Sequence, residues 1–138
     1  NGEKCHPFCA PIMTTILEPL DLKLMTKGAA LFHGSHDFKA YCYKATNHGL
    51  YKRRLHSCEL IENDLYEANF FPKKSHLLRV VGKGFGRHQI RLMMGVLIKL
   101  GKGEVGLDYI SSSLEQNANI KIDYIAPASG LILNKIEF

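Results

Sequence analysis

The stretch Leu77-Leu78-Arg79-Val80-Val81-Gly82-Lys83-Gly84-Phe85-Gly86-Arg87-His88-Gln89-Ile90-Arg91-Leu92-Met93-Met94-Gly95-Val96-Leu97 changes its periodicity midway, and that change decides the fold class. Leu77 to Val81 is a short apolar run closed by glycine, the pattern of a strand. Ile90, Met93, Met94 and Leu97 then recur at i, i+3, i+4 and i+7, one face of an amphipathic helix that stops at Gly101-Lys102-Gly103. Upstream, Arg54 to Ile61 reads as a strand that forms a hairpin with Leu77 to Val81, and the stretch between them has room for a third strand around Tyr66 to Phe70. Phe38 to Tyr43 also reads as a strand, Asn47-His48-Gly49 as a turn, and Leu131 to Phe138 as a final strand after the turn Ala126-Pro127-Ala128-Ser129-Gly130. Asp21 is a fitting N-cap for a helix that presents Met25, Ala29 and Phe32 on one face and stops at Gly34. A further helix runs from Leu107 to Gln116, with Ile110 and Leu114 on one side. Residues 1–19 hold three of the five prolines and read as irregular. Hairpin strands mixed with helices in this order predict an α+β fold, a mainly antiparallel sheet with helices packed on one face, as a single domain over residues 1–138.

A chain of 138 residues can bury one core, roughly 70% of the surface its unfolded form exposes. It is 46% hydrophobic and 22% charged, ordinary globular values that speak against disorder. The longest apolar run, Leu92 to Ile98, is interrupted by Gly95 and far too short to cross a bilayer, so no membrane association is expected. Asn1 opens the sequence, which reads as a piece of a longer protein. The formal net charge of +5 favours a polyanionic partner such as nucleic acid. Cys5, Cys9, Cys42 and Cys58 read as reduced thiols of a cytoplasmic protein. Cys5, His6 and Cys9 lack a second ligand pair, so no metal site is expected.

Gly82-Lys83-Gly84-Phe85-Gly86-Arg87 has the form of a glycine-rich junction that cradles phosphate at a helix start. It fails the dinucleotide fingerprint, because Arg87 and Gln89 stand where a third glycine is needed, and a simple bend serves equally well. Arg87, Arg91, Gly95 and Lys99 recur every fourth residue and form a cationic stripe beside the apolar face, with a glycine that permits close approach of another backbone. Arginines in the first turns oppose the helix dipole and point to an acidic partner. Lys83, Arg87 and His88, with the run Lys52-Arg53-Arg54, are the candidate RNA-binding residues, with Tyr51 and Phe85 interleaved for base stacking. Lys73 and Lys74 add further positive charge. His36 and Asp37 are neighbours on an extended segment and point to opposite sides, so they form no acid–base dyad.

Gly34-Ser35-His36-Asp37-Phe38, then Phe85-Gly86-Arg87-His88-Gln89-Ile90-Arg91 with Gly95, Gly101 and Gly103, then Ala126-Pro127-Ala128-Ser129-Gly130-Leu131 resemble, in order and spacing, the C-terminal half of the tRNA pseudouridine synthase A family. The resemblance implies conversion of uridine to pseudouridine in tRNA without cofactor or metal. An aspartate attacks a uridine turned out of the stack, the glycosidic bond breaks, and the uracil rejoins through carbon. That aspartate lies in an Arg-Thr-Asp-x-Gly context in the family's N-terminal half, and none of Asp21, Asp37, Asp64, Asp108 or Asp123 has such neighbours. The resemblance assigns Arg91 a supporting role, pairing with that aspartate. It also implies tRNA, the N-terminal half and a second copy of the chain as partners, and inactivity of these residues alone. Gln89 departs from the methionine common in the family, Tyr41 from phenylalanine, and Glu62 to Ser75 has the look of an insertion. A noncatalytic RNA-binding module of the same fold and a nucleotide-binding domain built on the glycine loop are the competing readings.

Overall fold

The computed structural model describes residues 6–46, 49–69, 71–116 and 118–136. Among the described residues three antiparallel strands form one sheet in the order β1 (Gly34–Asp37), β2 (Lys52–Glu62) and β3 (His76–Gly82). Three helices, α1 (Leu22–Leu31), α2 (Gln89–Lys102) and α3 (Leu107–Ser113), join β2 in a single core, which is the α+β arrangement the sequence predicts. Met25, Ala29 and Phe32 of the α1 region meet Leu55, Cys58 and Leu60 of β2, and Met93, Leu97 and Leu100 of α2 close over them. Each fully buried Leu or Met stabilises the fold by about 1.5–3 kcal/mol relative to exposure.

α1 begins where Asp21 Oδ1 accepts the Leu24 N–H at 3.0 Å, the cap expected from the sequence. α2 ends on Gly103, whose φ of +82° is a left-handed C-cap that glycine adopts without steric cost. The hairpin of β2 and β3 pairs Leu55 with Gly82 and Ser57 with Val81, so His56 is an extra residue in a bulge. The bulge resets the alternation, which is how Leu55, Cys58 and Leu60 all face the core despite uneven spacing. Burial pushes the Cys58 thiol up to about 12, with Glu59 adding to the effect.

Several sequence expectations need correction. Phe38 to Tyr43 is not a strand: Lys39–Tyr41 forms a 3-10 turn, because Phe38 and Tyr41 are both buried and only a three-residue period puts them on one side. Tyr41 packs edge-on against Phe32, its hydroxyl 2.6 Å from Ser113 Oγ, and burial raises its phenol far above the ordinary value. The strand on this side is β1, where Gly34 pairs with Leu55 and Asp37 with Lys52. α3 ends at Ser113 rather than Gln116. Residues 131–136 form no strand and expose Leu131, Leu133 and Ile136, since β propensity without a neighbouring strand makes no ladder.

No strand forms over residues 66–69 either. The segment between β2 and β3 is a loop closed at its neck by Asn63 N–H donating to Ser75 O at 2.8 Å, and the Asn63 side chain accepts from the Leu65 and Tyr66 N–H groups. Asn47 and His48 of the expected turn, Cys5, Phe70 and residues 137–138 lie outside the described residues.

Candidate functional site

α2 starts at Gln89, so Arg87 precedes the helix and the expected stripe begins at Arg91, in the first turn. The remaining stripe is covered by the chain's own segment from Asp123 to Ala126. Lys99 Nζ pairs with Asp123 Oδ1 at 2.9 Å, and that hydrogen bond lowers the Asp123 carboxyl below its ordinary value. A Cβ on Gly95 would collide with the Tyr124 backbone carbonyl, so this is the close approach that the glycine permits. Arg91 Nε donates to Ala126 O at 2.8 Å, and Ala126 N–H donates back to Arg91 O at 3.0 Å. The helix motif and the Ala126-Pro127-Ala128-Ser129-Gly130 motif therefore meet at Arg91. Thr14 Oγ1 donates to Ser129 O at 2.7 Å and ties the opening segment to the same place.

The loop ahead of α2 is held from within. Gln89 is buried, its Oε1 accepts the Gly86 N–H at 2.8 Å, and its N–H donates to Gly86 O at 3.1 Å. The polar residue at this position is thus satisfied, and the Gly86 donor is already taken. This weighs against a phosphate cradle built on that N–H. His88 is the N-cap of α2, with φ of +58°, a left-handed conformation that a non-glycine residue rarely adopts. Its ring lies against Tyr43 with centroids 5.0 Å apart, and its Nδ1 is 3.3 Å from Arg91 Nη1. Tyr43 N–H donates to Arg87 O at 2.9 Å, and the Arg87 guanidinium sits 5.3 Å from the Tyr43 ring centroid. Lys44 Nζ is 5.5 Å from the same centroid.

Sequence reasoning misses Tyr43, which carries no spacing relation to His88 and stands at the end of an expected strand that does not form. An aromatic followed directly by a lysine was the only sign available.

The antiparallel register Leu55 to Gly82 places Lys52, Arg53 and Arg54, at the start of β2, at the same end of the sheet as the 83–88 loop. Phe85, 42% exposed, comes within 3.3 Å of where a Gly82 Cβ would stand, and the Arg54 carbonyl within 3.4 Å. Lys83, Arg87, Lys52 and Arg54 are exposed. Yet the β2 cations are not brought into the Tyr43–His88–Arg91 cluster. They line a separate depression of about 500 Å³ with Ser35, His36, Asp37, Leu114 and Gln116, and Arg53 Nε is buried there without a hydrogen-bond partner among the described residues. Asp37 uses its carboxylate to accept the Lys39 N–H at 3.0 Å, while His36 Nε2 lies 2.7 Å from His33 O, so the two form no dyad with each other. Among the described residues the Arg91 guanidinium donates to Ala126 O, lies 3.3 Å from His88 Nδ1, and meets no carboxylate.

The family model for tRNA pseudouridine synthase matches residues 29–138. A tRNA pseudouridine synthase A of Staphylococcus aureus is 32% identical over 99% of this chain and 48% of its own length. A tRNA pseudouridine synthase A 2 of Bacillus thuringiensis subsp. konkukian is 32% identical over 100% of this chain and 53% of its own. Another, of Desulfotalea psychrophila, is 36% identical over 86% and 44%. The chain spans about half the length of these relatives. Because the match runs through both motifs that meet at Arg91 and covers well over half of the sequence, the chain belongs to the tRNA pseudouridine synthase family.

Proposed function

We propose that this chain is the C-terminal, RNA-gripping part of an enzyme that isomerises uridine to pseudouridine in tRNA, and that Arg91 serves the reaction by pairing with an aspartate supplied from outside these residues. The observation that carries the reading is the state of Arg91. Its guanidinium is fixed at the positive end of α2 by the Ala126 carbonyl and lies against His88 with no carboxylate in contact, so its charge is uncompensated among the described residues and suited to receive one. An arginine in that position keeps the carboxylate ionised and fixes its orientation for attack on the uridine. The aspartates of the chain have other duties or lie elsewhere. Asp21 caps α1, Asp37 caps the turn after β1, Asp123 pairs with Lys99, and Asp64 and Asp108 are exposed.

Lys52, Arg53 and Arg54 at the start of the central strand β2, and Lys83 and Arg87 in the loop after β3, are the proposed phosphate contacts, with Phe85 and Tyr43 available to bases. Binding carried by such contacts weakens as salt rises. The exposed Leu131, Leu133 and Ile136 belong to the surface on which the N-terminal half or a second copy packs in this reading.

Isomerisation releases the hydrogen at uracil C5, so tritium release from tRNA labelled there follows the reaction directly. The complete protein is expected to release tritium, and the 138-residue chain alone is expected to release none. Tritium release by the chain alone would place the nucleophile among residues assigned structural roles here and overturn the proposal. Binding without release by the complete protein would leave a noncatalytic RNA-binding module.

A further inference from the structure

We infer that His88 is a positioning residue for Arg91, holding its guanidinium in register through the Nδ1 atom of a neutral imidazole; this rests on the role of Arg91 proposed above. Arginine has donors and no acceptor, so the 3.3 Å contact between Arg91 Nη1 and His88 Nδ1 is a hydrogen bond only when Nδ1 is bare and the ring proton sits on Nε2. Ala126 O fixes the Nε edge of the guanidinium at 2.8 Å, and Nδ1 fixes one Nη group, so the planar fork is held at two points. One point alone would leave it free to swing about the Nε contact.

The backbone at His88 supports this reading. A left-handed φ of +58° is unfavourable for histidine, and such a conformation persists only where its surroundings impose it. Here Gln89 Oε1 on the Gly86 N–H, the Tyr43 N–H on Arg87 O and the Leu92 N–H on His88 O, at 2.8, 2.9 and 2.9 Å, hold the loop on both sides of the strained residue. The Tyr43 ring, 5.0 Å away and tilted by 31°, limits rotation of the imidazole. Glycine would relieve the backbone but would leave Arg91 without a side-chain acceptor at this position. Arg91 from α2 faces the imidazole directly, while Arg87 and Lys44 lie over the Tyr43 ring that packs against it.

The variants His88→Gly and His88→Asn separate positioning from folding, because both residues accept the left-handed backbone. Asparagine Oδ1 stands the same number of bonds from the main chain as Nδ1 and can accept from Arg91, whereas glycine leaves Nη1 without this partner. In the complete protein, His88→Gly is expected to keep its melting temperature and its KM for tRNA while kcat falls about 10- to 100-fold, the loss expected for one hydrogen bond to a charged group. His88→Asn, or added imidazole with His88→Gly, is expected to recover much of that loss. Arg91→Ala in the same assay distinguishes the two levels of the argument. Impaired Arg91→Ala with wild-type kcat in His88→Gly, or with a loss confined to KM, would overturn the positioning role alone. Near-normal turnover by Arg91→Ala would overturn the proposed function and this inference with it.

Discussion

At Gly95 the backbone of Tyr124 leaves no room for a side chain, and the same crossing segment delivers the Ala126 carbonyl to Arg91 two residues later. Gly95→Ala is therefore expected to lower stability by about 1–3 kcal/mol, the usual cost of overpacking against backbone. It should also reduce turnover of the complete protein beyond what the lost stability explains. Gly84, where an added Cβ meets nothing within 4 Å, is the control, and Gly84→Ala should change stability by less than about 0.5 kcal/mol. Equal melting temperatures for the two variants would mean that the segment from Asp123 to Ala126 is not held as described. At this scale the sequence was informative about one side of each contact. The four-residue spacing of Arg91, Gly95 and Lys99 announced a stripe that another backbone approaches closely, but not that the backbone was Tyr124 of the same chain. Tyr43 and His88 meet only through tertiary folding, and no local pattern records such a pair.

α2 and the hairpin of β2 with β3 were legible because each repeats its apolar period over enough residues to outweigh local noise. The segment from Phe38 to Tyr43 was not, because six residues with aromatics at both ends fit a strand as well as a 3-10 turn, and only burial of both Phe38 and Tyr41 separates the two. Leu131 to Ile136 has strand composition, but a strand is a property of a pair, and propensity does not name the partner.

The buried groups on these elements also set a pH response. The Cys58 thiol on β2 rises from an ordinary 9.0 to about 12 on folding, and the Tyr41 phenol rises as well, both chiefly through burial. The folded state then holds protons that the unfolded chain releases, so stability is fully present below about pH 9 and is lost as pH climbs from there towards 12. Melting temperatures measured across this range should fall progressively above about pH 9, and Cys58→Ala should flatten the first part of the fall. A profile that is level to pH 11 would mean that neither group is buried in the folded protein.

Over the whole molecule, three sequence motifs far apart in the chain form a set by their order and spacing alone, and two of them meet at Arg91. The first, on β1, does not join that cluster: His36 and Asp37 line the depression shared with Lys52, Arg53 and Arg54. The sheet register places both basic groups at one end of the molecule, which extends the candidate RNA surface beyond the surroundings of Arg91. What the sequence could not supply was the division of this surface into two clusters, since that follows from the tertiary placement of the central strand β2 and of the loop between β3 and α2. The central claim concerns Arg91, and the measurement that tests it most directly is single-turnover pseudouridine formation on tRNA by the complete protein and its Arg91→Ala variant, with RNA affinity and melting temperature recorded on the same preparations. The account predicts a folded variant that binds tRNA with little loss and reacts slower by on the order of 100-fold or more, as when a charged group that orients the reacting centre is removed; a folded variant reacting at close to the wild-type rate would contradict it.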